Sequence, residues 1–160
     1  MKPSTVLSRV KDALRLSSDD ILKIYQAEGY EIDDGRVEAI FKKPSSKKSQ
    51  SATYEELGVF LDGLIRVMRG EPAKVVDDDE EIILDNNLII KKLKIALNLK
   101  SIDIDMIFNL ADYPMSRSKI RDILRSSEHP KYKRCSDAVL DAFLEGLDEF
   151  WYDMPDIEIK

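Results

Sequence analysis

His129 and Cys135 are the chain's single histidine and single cysteine, and they stand six residues apart. They are the residues from which thiol–imidazole catalysis could be built. Such catalysis needs the two side chains in hydrogen-bond contact, a third group to orient the imidazole, and donors for a developing oxyanion. Between and beside them lie Pro130, Lys131, Tyr132, Lys133 and Arg134, a polar turn whose cations would at most lower the thiol pKa. The expected reading is therefore a turn histidine beside a half-buried, small apolar cysteine, with no catalytic residue assigned. One Cys and one His cannot assemble a zinc site within one chain. The six glycines, Gly29, Gly35, Gly58, Gly63, Gly70 and Gly146, form no phosphate-binding loop. The run Asp77-Asp78-Asp79-Glu80-Glu81 lacks the spaced ligands and turn glycine of a calcium loop, so it reads as a solvated spacer. No metal or cofactor is expected, and the chain is not expected to be an enzyme.

Binding chemistry has more to work with. Arg117, Arg121 and Arg125 recur at i, i+4 and i+8, opposite Ile120 and Leu124, with Lys119 nearby. Lys131, Lys133 and Arg134 follow, with Tyr132 among them. A cationic stripe on one helix is what phosphate contact requires, although such charges commonly do no more than solvate an outer face. Farther on, Phe150, Trp151 and Tyr152 form an aromatic cluster, followed by Met154 and Pro155. Aromatics of this kind anchor protein interfaces or close a small core. Two partner classes follow: a protein, including a second copy of the chain, and a nucleic acid.

These residues are carried by a duplicated unit. A shift of 83 positions lays Ser4–Gly70 on Asn87–Asp153 without a gap, giving 16 identities over 67 positions. Composition alone would give roughly four. Ser18, Asp20, Ile21 and Ile24 fall on Ser101, Asp103, Ile104 and Ile107, and Leu57, Phe60, Leu61, Gly63 and Leu64 on Leu140, Phe143, Leu144, Gly146 and Leu147. Each unit reads as four helices. Val6, Leu7, Val10, Ala13 and Leu14, with their counterparts Ile89, Ile90, Leu93, Ala96 and Leu97, mark an amphipathic first helix near Ser4–Leu16 and its twin. Second helices start at Ser18 and Ser101, each taken as an N-cap. Third helices start near Asp33 and Ser116, and the fourth run from about Tyr54 to Arg69 and from Ser136 to Tyr152. Gly63 and Gly146 lie inside the fourth, where glycine costs about 1 kcal/mol against alanine. Its recurrence at one point in both copies predicts another helix crossing closely there.

Helices two and three resemble a helix-turn-helix: Ala27 takes the small-residue position and Val37 and Ile40 the buried ones. Glu31 and Pro114 stand where that motif has its turn glycine, and Leu110 replaces the small residue in the second unit. The copies also differ in charge. The first unit's third helix carries Asp33, Asp34, Arg36 and Glu38, with Lys42, Lys43, Lys47 and Lys48 after it.

Hydrophobic residues make up 43% of the 160 positions and charged residues 35%, a balance that supports a packed core. No run approaches a membrane-spanning length, and Arg9, Lys11 and Asp12 interrupt any secretory apolar stretch. One cysteine fits a reducing cytoplasm. The net charge of −6 resides in one place: residues 71–86 hold seven acids against Lys74 alone, while residues 1–70 carry 12 basic and 11 acidic side chains. The expected organisation is all-α: a first helical repeat over 1–70, an acidic linker over 71–86, a second repeat over 87–153 and a tail over 154–160. The two units either pack together or hang loosely tethered.

Asp85-Asn86-Asn87, the run Lys92–Leu99, the turn His129–Asp137 and Phe143-Leu144-Glu145-Gly146-Leu147 together resemble the YehS-like family of small bacterial proteins, defined by a domain of unknown function. The resemblance covers nearly the whole chain through the same tandem repeat and is better in the second half. Where that family has a Tyr-x-x-Cys turn, the first unit has Pro44-Ser45-Ser46-Lys47-Lys48 instead. The resemblance implies a bacterial, cytoplasmic protein and brings no activity and no catalytic residues.

Overall fold

A computed structural model describes residues 1–42, 45–70 and 84–159. Among them are eight helices: α1 (Pro3–Leu14), α2 (Ser18–Ala27), α3 (Asp34–Phe41), α4 (Tyr54–Arg69), α5 (Asn86–Ala96), α6 (Ser101–Leu110), α7 (Arg117–Ile123) and α8 (Asp137–Trp151). No strand occurs among the described residues. The start of every helix in the second unit lies 83 positions after its counterpart, so the sequence repeat is a structural one.

The stops and starts repeat for local reasons. The left-handed backbone at Arg15 (φ 56°) recurs at Asn98 (φ 54°), and that at Gly29 (φ 68°) recurs at Asp112 (φ 54°). Asn and Asp tolerate this region better than other side chains do. At the second helices, the N-caps are Ser17 and Lys100, one residue before the expected Ser18 and Ser101. The repeated acid sets the start: the Asp20 carboxylate accepts from the Ser17 amide at 2.9 Å, and Asp103 from the Lys100 amide at 2.7 Å. Asp85, read from the sequence as linker, caps α5 by accepting from the Leu88 amide at 2.9 Å, and Asn86 opens the helix. Both belong to the second unit. The acidic run Asp77–Glu81, Lys43 and Pro44 lie outside the described residues.

Within each unit, the second helix crosses the fourth at its glycine. A Cβ at Gly63 would stand 2.3 Å from the Ile24 carbonyl oxygen, and one at Gly146 would stand 1.8 Å from that of Ile107. The expected close crossing is therefore present in both copies.

The units pack against each other reciprocally. α1 lies along α8, and α5 lies along α4. The Met1 ammonium meets Asp137 at 2.8 Å, Arg9 pairs with Asp141, and Arg15 Nη1 donates to the Tyr152 carbonyl at 2.6 Å. Numbers rise together along both helices, so α1 and α8 run parallel. Lys92 pairs in the same way with Asp62, across the contact of α5 with α4. The first helix of each unit thus reaches the fourth helix of the other with a basic side chain. α1 also touches α4, and α5 touches α8, which closes a ring of four helices. Val6, Leu7, Val10 and Leu14 join Ile90, Leu93, Phe143 and Leu147 in one continuous core. A unit of about seventy residues buries limited apolar surface alone, and this ring removes that limit.

A candidate interaction face on the second repeat

The turn after α7 is held down by Asn87, a buried side chain in the first turn of α5. Its Nδ2 donates to the Ile123 and Lys133 carbonyls at 2.8 and 2.7 Å, and its Oδ1 accepts from the Cys135 amide at 2.8 Å. Ser4 does the same work in the first unit: its Oγ accepts from the Ala52 amide at 2.6 Å and donates to the Gln50 carbonyl at 3.5 Å. Positions 4, 50 and 52 are the repeat counterparts of 87, 133 and 135. The sequence reading missed this pair, although a small polar residue recurring on an apolar stripe was a signal. Asn87→Ala leaves an amide and two carbonyls without their partner. It is expected to lower the unfolding free energy by about 2 kcal/mol in urea titration, against about 1 for Ser4→Ala. Equal midpoints for the Asn87 variant and the parent would remove this role.

The same turn fixes the two residues considered for catalysis. Cys135 is buried, and burial, followed by the Asp85 and Asp137 carboxylates, pushes its thiol up to about 12. The neighbouring cations, which from the sequence would at most lower it, do not offset that burial. His129 is exposed; its Nδ1 accepts from the Lys131 amide at 3.0 Å, and its Nε2 stands 3.2 Å from Arg125 Nη1. The Cys135 thiol instead approaches the Ser136 carbonyl at 3.5 Å. The two side chains have different partners, and such a thiol is almost wholly protonated near neutral pH. Among the described residues, no three His, Cys, Asp or Glu side chains are grouped to hold a metal ion.

Of the seven cations, Arg117, Lys119, Arg121, Lys131, Lys133 and Arg134 are exposed. Arg125 lies beyond the end of α7 and is half-buried against Asp122 at 3.0 Å, so the i, i+4, i+8 stripe is cut short by the helix terminus. Arg117 touches Asp105 of α6 at 3.1 Å while its own side chain stays 81% exposed. The Lys133 amide bonds the Asp122 carbonyl at 3.1 Å, which brings the second basic group alongside α7. In the first unit, the counterparts of Arg117 and Arg121 are the exposed acids Asp34 and Glu38.

The aromatic cluster divides. Trp151 is buried in the core, Phe150 is half-buried against it, and Tyr152 is 73% exposed. Another apolar surface was not foreseen. Ile102, Met106 and Leu110 recur at i, i+4 and i+8 on the outer face of α6, with Tyr113 just beyond it, and they are 63, 49, 41 and 38% exposed. They are four of the seven large hydrophobics exposed among the described residues. The counterparts in α2 begin with Asp19 and Lys23, which form an ion pair at 3.5 Å. The apolar stripe therefore belongs to the second repeat alone, beside the cationic helix.

Fold and surface together define a class: an all-helical tandem-repeat protein with a shared interior and divergent exteriors. The chain belongs to the family described as protein of unknown function (DUF1456), whose profile matches residues 5–70 and 86–150. It is similar to the uncharacterized protein YehS of Escherichia coli (strain K12), at 28% identity over 147 residues, covering 92% of this chain and 94% of that protein. No solved structure matches. No helix among the described residues is long and apolar enough to cross a membrane.

Proposed function

We propose that the chain is a non-catalytic binding module, with its partner surface on α6 and α7 of the second repeat and the first repeat as its packed support. The observation that carries this reading is the row Ile102, Met106, Leu110 and Tyr113, left in solvent while the paired repeat has charged residues at the first two positions. Large apolar side chains in a contiguous exposed row mark interaction sites, whereas single ones need no explanation.

A second reading is nucleic-acid contact. Its support is the group Lys119, Arg121, Lys131, Lys133 and Arg134, exposed around α7 and the turn pinned beside it. Phosphates favour those cations but offer nothing to the apolar row, and Asp103, Asp105 and Asp112 flank that row with the wrong charge. A photo-crosslinking residue placed at 106, 23 or 121 in living cells separates the two. Protein adducts at 106 and none at 23 are expected. Nucleic-acid adducts at 121 with nothing at 106 would favour the second reading, and a silent 106 would remove the first.

A further inference from the structure

We infer that the occupant of this face is an acidic amphipathic helix, an inference that rests on the protein-binding reading above and adds the chemistry of the partner. Three features of the face specify it. The exposed residues Ile102, Met106 and Leu110 lie one turn apart along a single helix, and Tyr113 extends the row past its end. A row a little over two turns long is complemented by another helix presenting apolar side chains at i, i+4 and i+7. Methionine in the middle adapts to differing partner side chains.

The charge sits to one side. The Arg117 side chain reaches Asp105 of α6 at 3.1 Å, and Arg121 follows one turn after Arg117 on the same side of α7. Both guanidinium groups are exposed. Arg121 has no carboxylate within ion-pair distance among the described residues, and Arg117 shares its single carboxylate with solvent. A partner with carboxylates only along the flank that meets Arg117 and Arg121, and none facing Asp103 and Asp112, matches both features at once. A duplex matches only the cations. A second copy docking through its own α2 would bring Asp19 and Lys23 against the apolar row, leaving that row without an apolar complement, and self-association of the chain through α6 in solution would overturn the inference.

The probe is a fluorescent, helix-stapled synthetic peptide of about fifteen residues, with leucines at i, i+4, i+7 and i+11, glutamates along one flank only and uncharged polar residues along the other. A second peptide carries lysines in place of the glutamates. Fluorescence anisotropy with the full chain is expected to give saturable binding of the acidic peptide, with Kd of order 10 μM, and none of the basic one. Met106→Glu should weaken binding at least tenfold, the pair Arg117→Glu and Arg121→Glu about tenfold, and Met106→Leu hardly at all. Circular dichroism verifies that each variant is folded. The inference is overturned by equal binding of the lysine peptide, by absence of saturable binding to the glutamate peptide, or by a mixed-sequence DNA duplex that displaces it. If photo-crosslinks form at 106 while the acidic peptide fails, the interaction face stands and the acidic helix is wrong. If both fail, the face itself falls.

Discussion

Replacing Gly146 with alanine is expected to destabilise the protein by about 3 kcal/mol, even though alanine is the better helix former by about 1. A Cβ at that position would lie 1.8 Å from the Ile107 carbonyl oxygen and 2.7 Å from its carbonyl carbon. The obstruction is helix backbone, so no side-chain rotation relieves it. α6 and α8 would have to separate by more than an ångström, pulling apart Phe108 and Phe143, whose ring centroids are 5.9 Å apart. Gly63→Ala repeats the test in the first unit, where the nearest atom is the Ile24 carbonyl oxygen at 2.3 Å. Gly58, within the same α4, provides the opposite case: the nearest atom to a Cβ there is Leu84 Cδ2 at 4.0 Å. Gly58→Ala should be neutral or stabilising by up to about 1 kcal/mol. Urea unfolding of the three variants checks the contrast, and a Gly146→Ala midpoint equal to that of the parent would mean the crossing is looser than described.

That crossing was legible because it recurs: a glycine inside a helix is ambiguous once and informative twice. The eight helices were legible for a related reason, since Val6, Leu7, Val10 and Leu14 and their counterparts face the core with helical spacing. Caps were harder to place. Ser17 and Ser18 are both good capping residues, and the choice is made by the Asp20 carboxylate three residues on. Contacts across a turn escaped altogether. Nothing local shows that Asn87 reaches Ile123, Lys133 and Cys135, because those partners come together only once α7 and its turn fold back on α5.

The apolar row on α6 escaped for a different reason. Ile104, Ile107 and Phe108 are buried on one side of that helix, while Ile102, Met106 and Leu110 are exposed on the other. A helix that is apolar all round reads as deeply buried. Comparison with α2, which shares the inner residues and has Asp19 and Lys23 outside, separates inner from outer. The repeat keeps what the core demands and releases what the surface does not. A departure from the repeat on an exposed face is therefore a stronger functional sign than a charge run read alone.

The same logic explains an ion pair found in one unit only, and Arg36→Met is expected to cost about 3 kcal/mol near pH 7. Arg36 Nε and Nη2 donate to the two Glu56 carboxylate oxygens at 2.9 and 2.8 Å, and Nη1 and Nη2 also reach Gln50 Oε1 and the Ser51 carbonyl. The Glu56 side chain is 7% exposed and also accepts from the Thr53 amide at 2.9 Å. In the second unit, the counterparts are Lys119 and Val139, which cannot make this pair and leave Lys119 in solvent. The Arg36 hydrogen bond holds the Glu56 carboxyl below its ordinary value against the opposing effect of burial. A depressed carboxyl adds stability that is present above its unfolded pKa, about 4.3, and is lost as pH falls through the lower folded value. Without Arg36, burial becomes the largest influence on Glu56, and the unpaired charge is relieved when the carboxyl takes up a proton. The gap between Arg36→Met and the parent should therefore be widest near pH 7 and narrow steadily below about pH 5. Asp137, also held low, acts equally in both proteins and cancels from the difference. Urea unfolding of both proteins across that range measures the gap. A difference that stays constant with pH would show that Arg36 contributes packing rather than charge.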